Sequence, residues 1–226
     1  ADSHFKGACH AQQGRMSGER IGKELFLKPA WEVAPLILGA YICRRTPSGV
    51  IRLEISETEC YFGEEDTACH ACRGRTKRTQ TLYHEGGEAY VYLCYGIHSL
   101  LNVVTGASGH PEGVLIRSAG GYDGPGKLTK ALSVTCELNG EDLCVSDRLW
   151  VEYGNPHGSL TGSMPDSLQD SLSGSPSVHS ALTDGPHGGM QGMASNISGV
   201  VCRPRVGIAY ASERDRQRLW NFSLPK

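Results

Sequence analysis

Residues 53–63 read Leu53-Glu54-Ile55-Ser56-Glu57-Thr58-Glu59-Cys60-Tyr61-Phe62-Gly63. In an extended strand alternate side chains share a face. Leu53 and Ile55 therefore predict a core-facing side that continues with Glu57, Glu59 and Tyr61. An apolar face that runs into two carboxylates has three readings. The strand bulges and both acids meet water; or an acid pairs with an arginine; or the strand ends at a pocket where a partly buried carboxylate activates water.

Working outward, "AYICRR" and "VIRLEIS" flank "TPSG" (46–49), a turn signal that predicts a β-hairpin. Before it, "PAWEVAPLIL" (29–38) predicts a short helix, with Pro29 at its first turn and Gly39 as its stop. A polar loop over 63–80 follows. "EAYVYLCYG", "IHSLLNVVTG" and "GVLIRS" predict three more strands, and "PGKLTKAL" a short helix. "RPRVGIAYA" and "RLWNFSL" predict closing strands. Residues 157–199 hold no Lys, Arg, Phe, Tyr or Trp and many Ser and Gly, which predicts a low-complexity, disordered insertion. The expected organisation is a flexible leader over 1–19, a core over 20–156 plus 200–226, and that insertion between the two core segments. These signals alone give a mixed α+β domain.

The 226 residues suffice for one domain with a real core. No run is long and apolar enough for a membrane span, and the polar start lacks the apolar stretch of a secretion signal. Nine cysteines without a framework point to reduced thiols and an intracellular chain; the expected place is the nucleus if the source is eukaryotic, with an organelle or a bacterial cytoplasm left open. A net charge of −2 gives no global pull on nucleic acid, but "RGRTKR" (73–78) and "RPR" (203–205) are local basic patches able to meet phosphates.

Two motifs invite other chemistries. Cys69, His70 and Cys72 form "CHAC", yet no second close pair stands at zinc spacing, so no metal is expected. Gly121–Leu128, "GYDGPGKL", nearly matches a phosphate loop. Leu128 stands where a magnesium-binding hydroxyl belongs, and Pro125 removes a cradle N–H. A glycine-rich turn capping a helix is the plainer reading.

Taken together, "ETECYFGEEDTACHACRGRTKRT" (57–79), "AYVYLCYGIHSLLNVVTG" (89–106), "GVLIRS" (113–118) and "GPGKLTKAL" (124–132) resemble the alkyladenine (3-methyladenine) DNA glycosylase family. "ELFLKPAWEVAPLILG" (24–39) and "PRVGIAYA" (204–211) extend the likeness to nearly all of the chain outside the leader and insertion. The resemblance implies a single α+β domain with a curved antiparallel sheet, flanking short helices and a protruding β-hairpin. It implies a monofunctional hydrolase of base excision repair that acts on double-stranded DNA carrying damaged purines. It would need no cofactor or membrane, work as a monomer, and pass its abasic-site product to downstream enzymes.

The same resemblance implies residue roles. Glu59 would be the base that deprotonates a water attacking C1′, with Arg117 beside it. Tyr61 and Tyr92 would stack on the flipped base, His70 would line the pocket, and Asn102 at its floor would clash with the amino group of normal guanine. Aromatic walls suit cationic alkylpurines through cation–π attraction. Tyr95 would wedge into the gap left by the flipped nucleotide. Arg73, Arg75, Lys77 and Arg78, and less strongly Lys127, would meet phosphates. Glu57 and Tyr90 are assigned to structure. The family commonly has Ala at Cys60 and Pro at Lys77, and neither difference removes the base or the pocket. Two alternatives stay open: a catalytically silent binder of damaged DNA, and a phosphate-loop nucleotide-binding protein.

Overall fold

The computed structural model describes residues 18–154 and 199–225; the expected leader and insertion lie almost wholly outside them. The chain folds as one α+β domain around a curled antiparallel half-barrel. The strands are β1 (Tyr41–Thr46), β2 (Gly49–Phe62), β3 (Ala89–Cys94), β4 (His98–Val104), β5 (Glu112–Ala119), β6 (Tyr122–Asp123), β7 (Leu149–Glu152), β8 (Val201–Arg203) and β9 (Asn221–Ser223). Their main path runs β3-β4-β5-β2-β1-β7, with β9 on the free side of β2 and β8 on β9.

The hairpin expected at "TPSG" forms between β1 and β2, with Thr46 opposite Gly49. The helices are α1 (Lys23–Phe26), α2 (Ala30–Leu36), α3 (Pro125–Ala131) and α4 (Glu213–Gln217). Pro29 precedes α2, and the buried Glu112 carboxylate accepts the N–H of Ala30 at its positive end. Gly39, at φ +78°, ends the segment and donates to Ile55 O. Helix α2 packs on β2 and β5, and α3 packs on β4 and β5. Phe26, Val33, Ile37, Ile42, Leu101, Ile116, Leu132 and Phe222 belong to the continuous core. Among the described residues no helix is long and apolar enough to cross a membrane.

Strict alternation along β2 does not hold. Ile55 pairs with Ala119 and Glu57 with Ser118, so Ser56 is an extra residue on β2; Thr58 then pairs with Ile116, so Arg117 is an extra residue on β5. These two bulges offset each other in register, and the one at Ser56 shifts the parity of β2. Ile55 and Cys60 are core members and Leu53 packs on that core, while Thr58 is fully buried and donates its hydroxyl to Ala34 O. Glu57, Glu59 and Tyr61 point the other way. The apolar face at Leu53 and Ile55 therefore does not continue into the carboxylates, as simple alternation predicts, but changes sides at Ser56.

The chain end also differs from expectation. Only Arg203 of "RPRVGIAYA" lies in a strand; residues 204–211 form an irregular segment with Gly207 at φ +80°. The backbone there is used for side-chain contacts rather than a ladder. Arg205 is not a surface cation. Its side chain is fully buried, donates to both Asp66 oxygens at 2.6 and 2.8 Å, and reaches Cys60 O at 2.9 Å. The pair fixes residues 204–211 against the turn after β2.

Removing one partner of a buried ion pair strands the other charge. Asp66→Asn is expected to destabilise the chain by about 3–5 kcal/mol. The check is a lower urea midpoint with unchanged slope.

Candidate active site

Three neighbouring strands set the polar centre. Glu57 and Glu59 stand on β2, Arg117 and Ser118 on β5 at the second bulge, and Asn221 on β9 directly opposite Glu59. Two consecutive residues, Arg117 and Ser118, reach the same face because the bulge interrupts alternation. Glu59 is fully buried. Its Oε1 accepts the Val206 N–H at 2.7 Å and the Asn221 amide at 3.1 Å. Its Oε2 accepts the Tyr61 hydroxyl at 2.9 Å and faces Arg117 Nη1 at 3.5 Å. Glu57 accepts from Arg117 Nε at 3.2 Å, Ser118 at 2.8 Å and Asn221 at 2.7 Å. A buried carboxylate is tolerable only when its oxygens are met by donors, and here they are.

Tyr61 carries the site outward. Its ring lies against the Arg205 guanidinium, 4.8 Å from the centroid, and Trp220 flanks the same guanidinium at 4.9 Å. Burial, then the neighbouring Glu59 charge, pushes the Tyr61 hydroxyl well above its ordinary range, so it is held as a donor. Tyr61 also lines a cavity of about 40 Å³ together with His70, Tyr90, Tyr92, Asn102 and Tyr210. That space suits a few water molecules.

The cavity walls are interlocked. Tyr90 and Tyr92 stack with centroids 5.3 Å apart, and His70 meets Tyr92 edge-on at 4.3 Å. A hydrogen bond of 3.2 Å joins His70 Nδ1 to the Tyr90 hydroxyl. Tyr90, which the sequence suggests as an ordinary strand aromatic, is thus buried and part of the wall. Asn102 on β4, directly opposite Tyr90, is also buried, and its amide donates to Tyr90 O at 3.2 Å. Burial first, and then the charge of Arg78, lowers the His70 pKa to about 4. Among the described residues no cluster of three or more His, Cys, Asp or Glu side chains could hold a metal.

Tyr95 lies elsewhere. It opens the tip of the β3–β4 hairpin, is 92% exposed, and takes φ +50°, a left-handed conformation uncommon for an aromatic residue. Ile97 beside it is 75% exposed. A cleft of about 430 Å³ separates this tip from the glycine-rich turn before α3, and Lys127 lines it with Tyr95 and His98. The basic loop is less uniform than its sequence. Arg73, Arg75, Lys77 and Arg78 are all exposed, but two of them also cover aromatic rings. Arg75 lies over Tyr83 at 5.4 Å, and Arg78 lies over Tyr92 at 5.3 Å.

The sequence did not single out Asn221, Tyr210 or the Val206 N–H. Asn221 is a polar residue inside "LWNFSL", a signal easily taken for an edge. Val206 acts through its backbone, which no residue type announces.

The family model for Methylpurine-DNA glycosylase (MPG) matches residues 24–122. A Methanocella arvoryzae protein provisionally named a 3-methyladenine DNA glycosylase is 34% identical over 222 residues, covering 89% of this chain and 90% of its own length. A Borreliella afzelii protein of the same provisional name is 32% identical over 217 residues, covering 90% of this chain and 95% of its own. A Psychrobacter cryohalolentis protein, again so named, is 39% identical over 157 residues, covering 56% and 74%.

The lowered His70 pKa has a defined sign. The unfolded chain takes up this proton near the ordinary value of 6.5, while the folded chain resists it down to about 4. The His70 contribution to stability is therefore intact above pH 6.5 and lost as pH falls toward 4. The expected NMR titration of the His70 ring has its midpoint near pH 4, and His70→Gln is expected to flatten the acid limb of the stability curve.

Proposed function

This chain belongs to the methylpurine-DNA glycosylase family, and we propose that it removes alkylated or deaminated purines from duplex DNA. The observation that carries this reading is Glu59: a fully buried carboxylate, ringed by donors, joined through one hydroxyl to an aromatic cavity. The substrates are 3-methyladenine, 7-methylguanine, hypoxanthine and ethenoadenine. Each leaves the base stack and enters between Tyr61, His70 and Tyr92 as those walls part. Asn102, tethered to the Tyr90 carbonyl, sits where it excludes the exocyclic amino group of normal guanine.

Glu59 takes a proton from a water whose oxygen attacks C1′. The C1′–N bond breaks and its electron pair leaves with the base. Arg117, paired with Glu57, holds positive charge beside the carboxylate. No lysine stands in 57–63 to form a Schiff base, so the product is an abasic site without strand cleavage. Downstream abasic-site enzymes take over from there. Tyr95 and its exposed hairpin fill the vacated gap, and Lys127 meets a phosphate on the same side.

Base release is measured from duplexes carrying one hypoxanthine or one 3-methyladenine, with alkali revealing abasic sites. Wild type is expected to release both. Glu59→Gln is expected to lower release by about 10²–10⁴-fold while keeping lesion binding. Lesion binding without release by wild type would replace this reading with the silent-binder one.

Tyr95 is too exposed to matter for folding. Tyr95→Ala is expected to weaken lesion capture about tenfold, because an unstacked step stays unfilled. Single-turnover rates with enzyme in excess of DNA but below saturation check this, and an unchanged rate would remove the wedge.

A further inference from the structure

Arg78 stands out from the rest of the basic loop. Its Nη2 donates to Leu93 O at 3.1 Å, which anchors the guanidinium on β3. From there it lies 5.3 Å from the centroid of Tyr92 and interacts with the Tyr90 hydroxyl. Tyr90, Tyr92 and His70 all line the cavity. The partners described for Arg78 are thus a carbonyl and aromatic groups, not a carboxylate. Arg117 and Arg205, by contrast, are matched by Glu57, Glu59 and Asp66. Arg78 is exposed and lies against the cavity wall at Tyr92, and no carboxylate is among its described partners, so its field is screened by solvent but not matched by an acid.

We propose that Arg78 is a specificity-determining residue that filters lesions by charge, weakening capture of cationic alkylpurines relative to uncharged ones. The inference rests on the glycosylase reading above. Cation–π attraction by itself makes Tyr92 a wall for positively charged bases. Here a guanidinium already faces that ring, 5.3 Å from its centroid, so a cationic base stacking on Tyr92 shares the ring with a like charge. The protein's own cation at this position behaves the same way: Arg78 adds to burial in disfavouring the imidazolium form of His70.

The field acts differently on binding and on bond cleavage. In the bound ground state 7-methylguanine carries a positive charge and hypoxanthine carries none, so only the former is repelled. During cleavage either base gains the electron pair of the C1′–N bond. The cation therefore favours departure of both. Removing Arg78 separates the two effects: binding improves for the cationic lesion alone, while the maximal rate falls for both.

The test uses wild type, Arg78→Met and Arg78→Lys on duplexes carrying one 7-methylguanine or one hypoxanthine. Single-turnover rates over a range of enzyme concentration give the half-saturating concentration and the maximal rate for each lesion. In Arg78→Met the half-saturating concentration for 7-methylguanine is expected to fall about three- to tenfold relative to that for hypoxanthine, as for one partly screened charge pair. Both maximal rates are expected to drop, and Arg78→Lys is expected to keep the wild-type ratio because it keeps the charge. Equal weakening for both lesions, with a shallower salt dependence, would make Arg78 a phosphate contact and overturn the filter. An unchanged ratio in Arg78→Met would overturn it too. Failure of wild type to release either base would overturn the glycosylase reading itself, and the inference with it.

Discussion

The extra residue at Ser56 governs the rest of the site. A β-strand with one buried face has its side chains assigned by parity, and a single inserted residue reverses the assignment beyond it. In β2 that reversal lets one strand serve two environments: Ile55 and Cys60 lie in the core, while Glu57 and Glu59 occupy the opposite face. Without the bulge, placing Ile55 in the core would also drive both carboxylates into it, unpaired, at several kcal/mol each. The matching bulge at Arg117 restores register and brings Arg117 and Ser118 to the same two acids. The irregularities that weaken the ladder locally are the ones that build the polar centre.

A second constraint reaches across the chain. Arg205 lies 139 residues from Asp66 and 145 from Cys60 in sequence, yet it is buried against both. This contact does more than dock the chain end. It puts the Val206 N–H on Glu59 Oε1 and backs Tyr61 with a guanidinium. Asp215 strengthens the same junction. Burial alone would raise its pKa, but hydrogen bonds from Thr67 and Ser212 and the charge of Arg218 outweigh that and hold it at about 2. A segment without regular secondary structure is thereby tied to β2 and the turn after it at several points.

The sequence was most legible where pattern is local. Alternation in 89–94, the apolar run in 98–104, the turn at "TPSG" and the helix ahead of Gly39 all follow from residue type and spacing, and each element formed. The fold class and family followed from long ordered motifs. What escaped was non-local or carried by the backbone. Arg205 in "RPR" has the composition of a surface patch, and nothing near it in sequence announces Asp66 as a partner. The bulge at Ser56 leaves no mark because serine is at home in an exposed strand as well as in a bulge. Arg78 shares a charge with its neighbours in the basic loop, and only its contacts with Leu93 O and the Tyr92 ring set it apart from them.

The two oxygens of Glu59 are not equivalent, and this bears on how a fully buried acid could work as a base. Oε1 is held by Val206 and Asn221, groups of the frame that do not border the cavity. Oε2 is held by the Tyr61 hydroxyl, from a residue that does border it. On the proposed reading, Oε1 keeps its partners throughout and fixes the carboxylate plane. Oε2 is the oxygen that exchanges Tyr61 for the attacking water as a base enters and the wall moves. Burial then serves chemistry in two ways: it keeps the carboxylate oriented while the cavity is small, and it frees one lone pair only when a substrate has opened the space beside it.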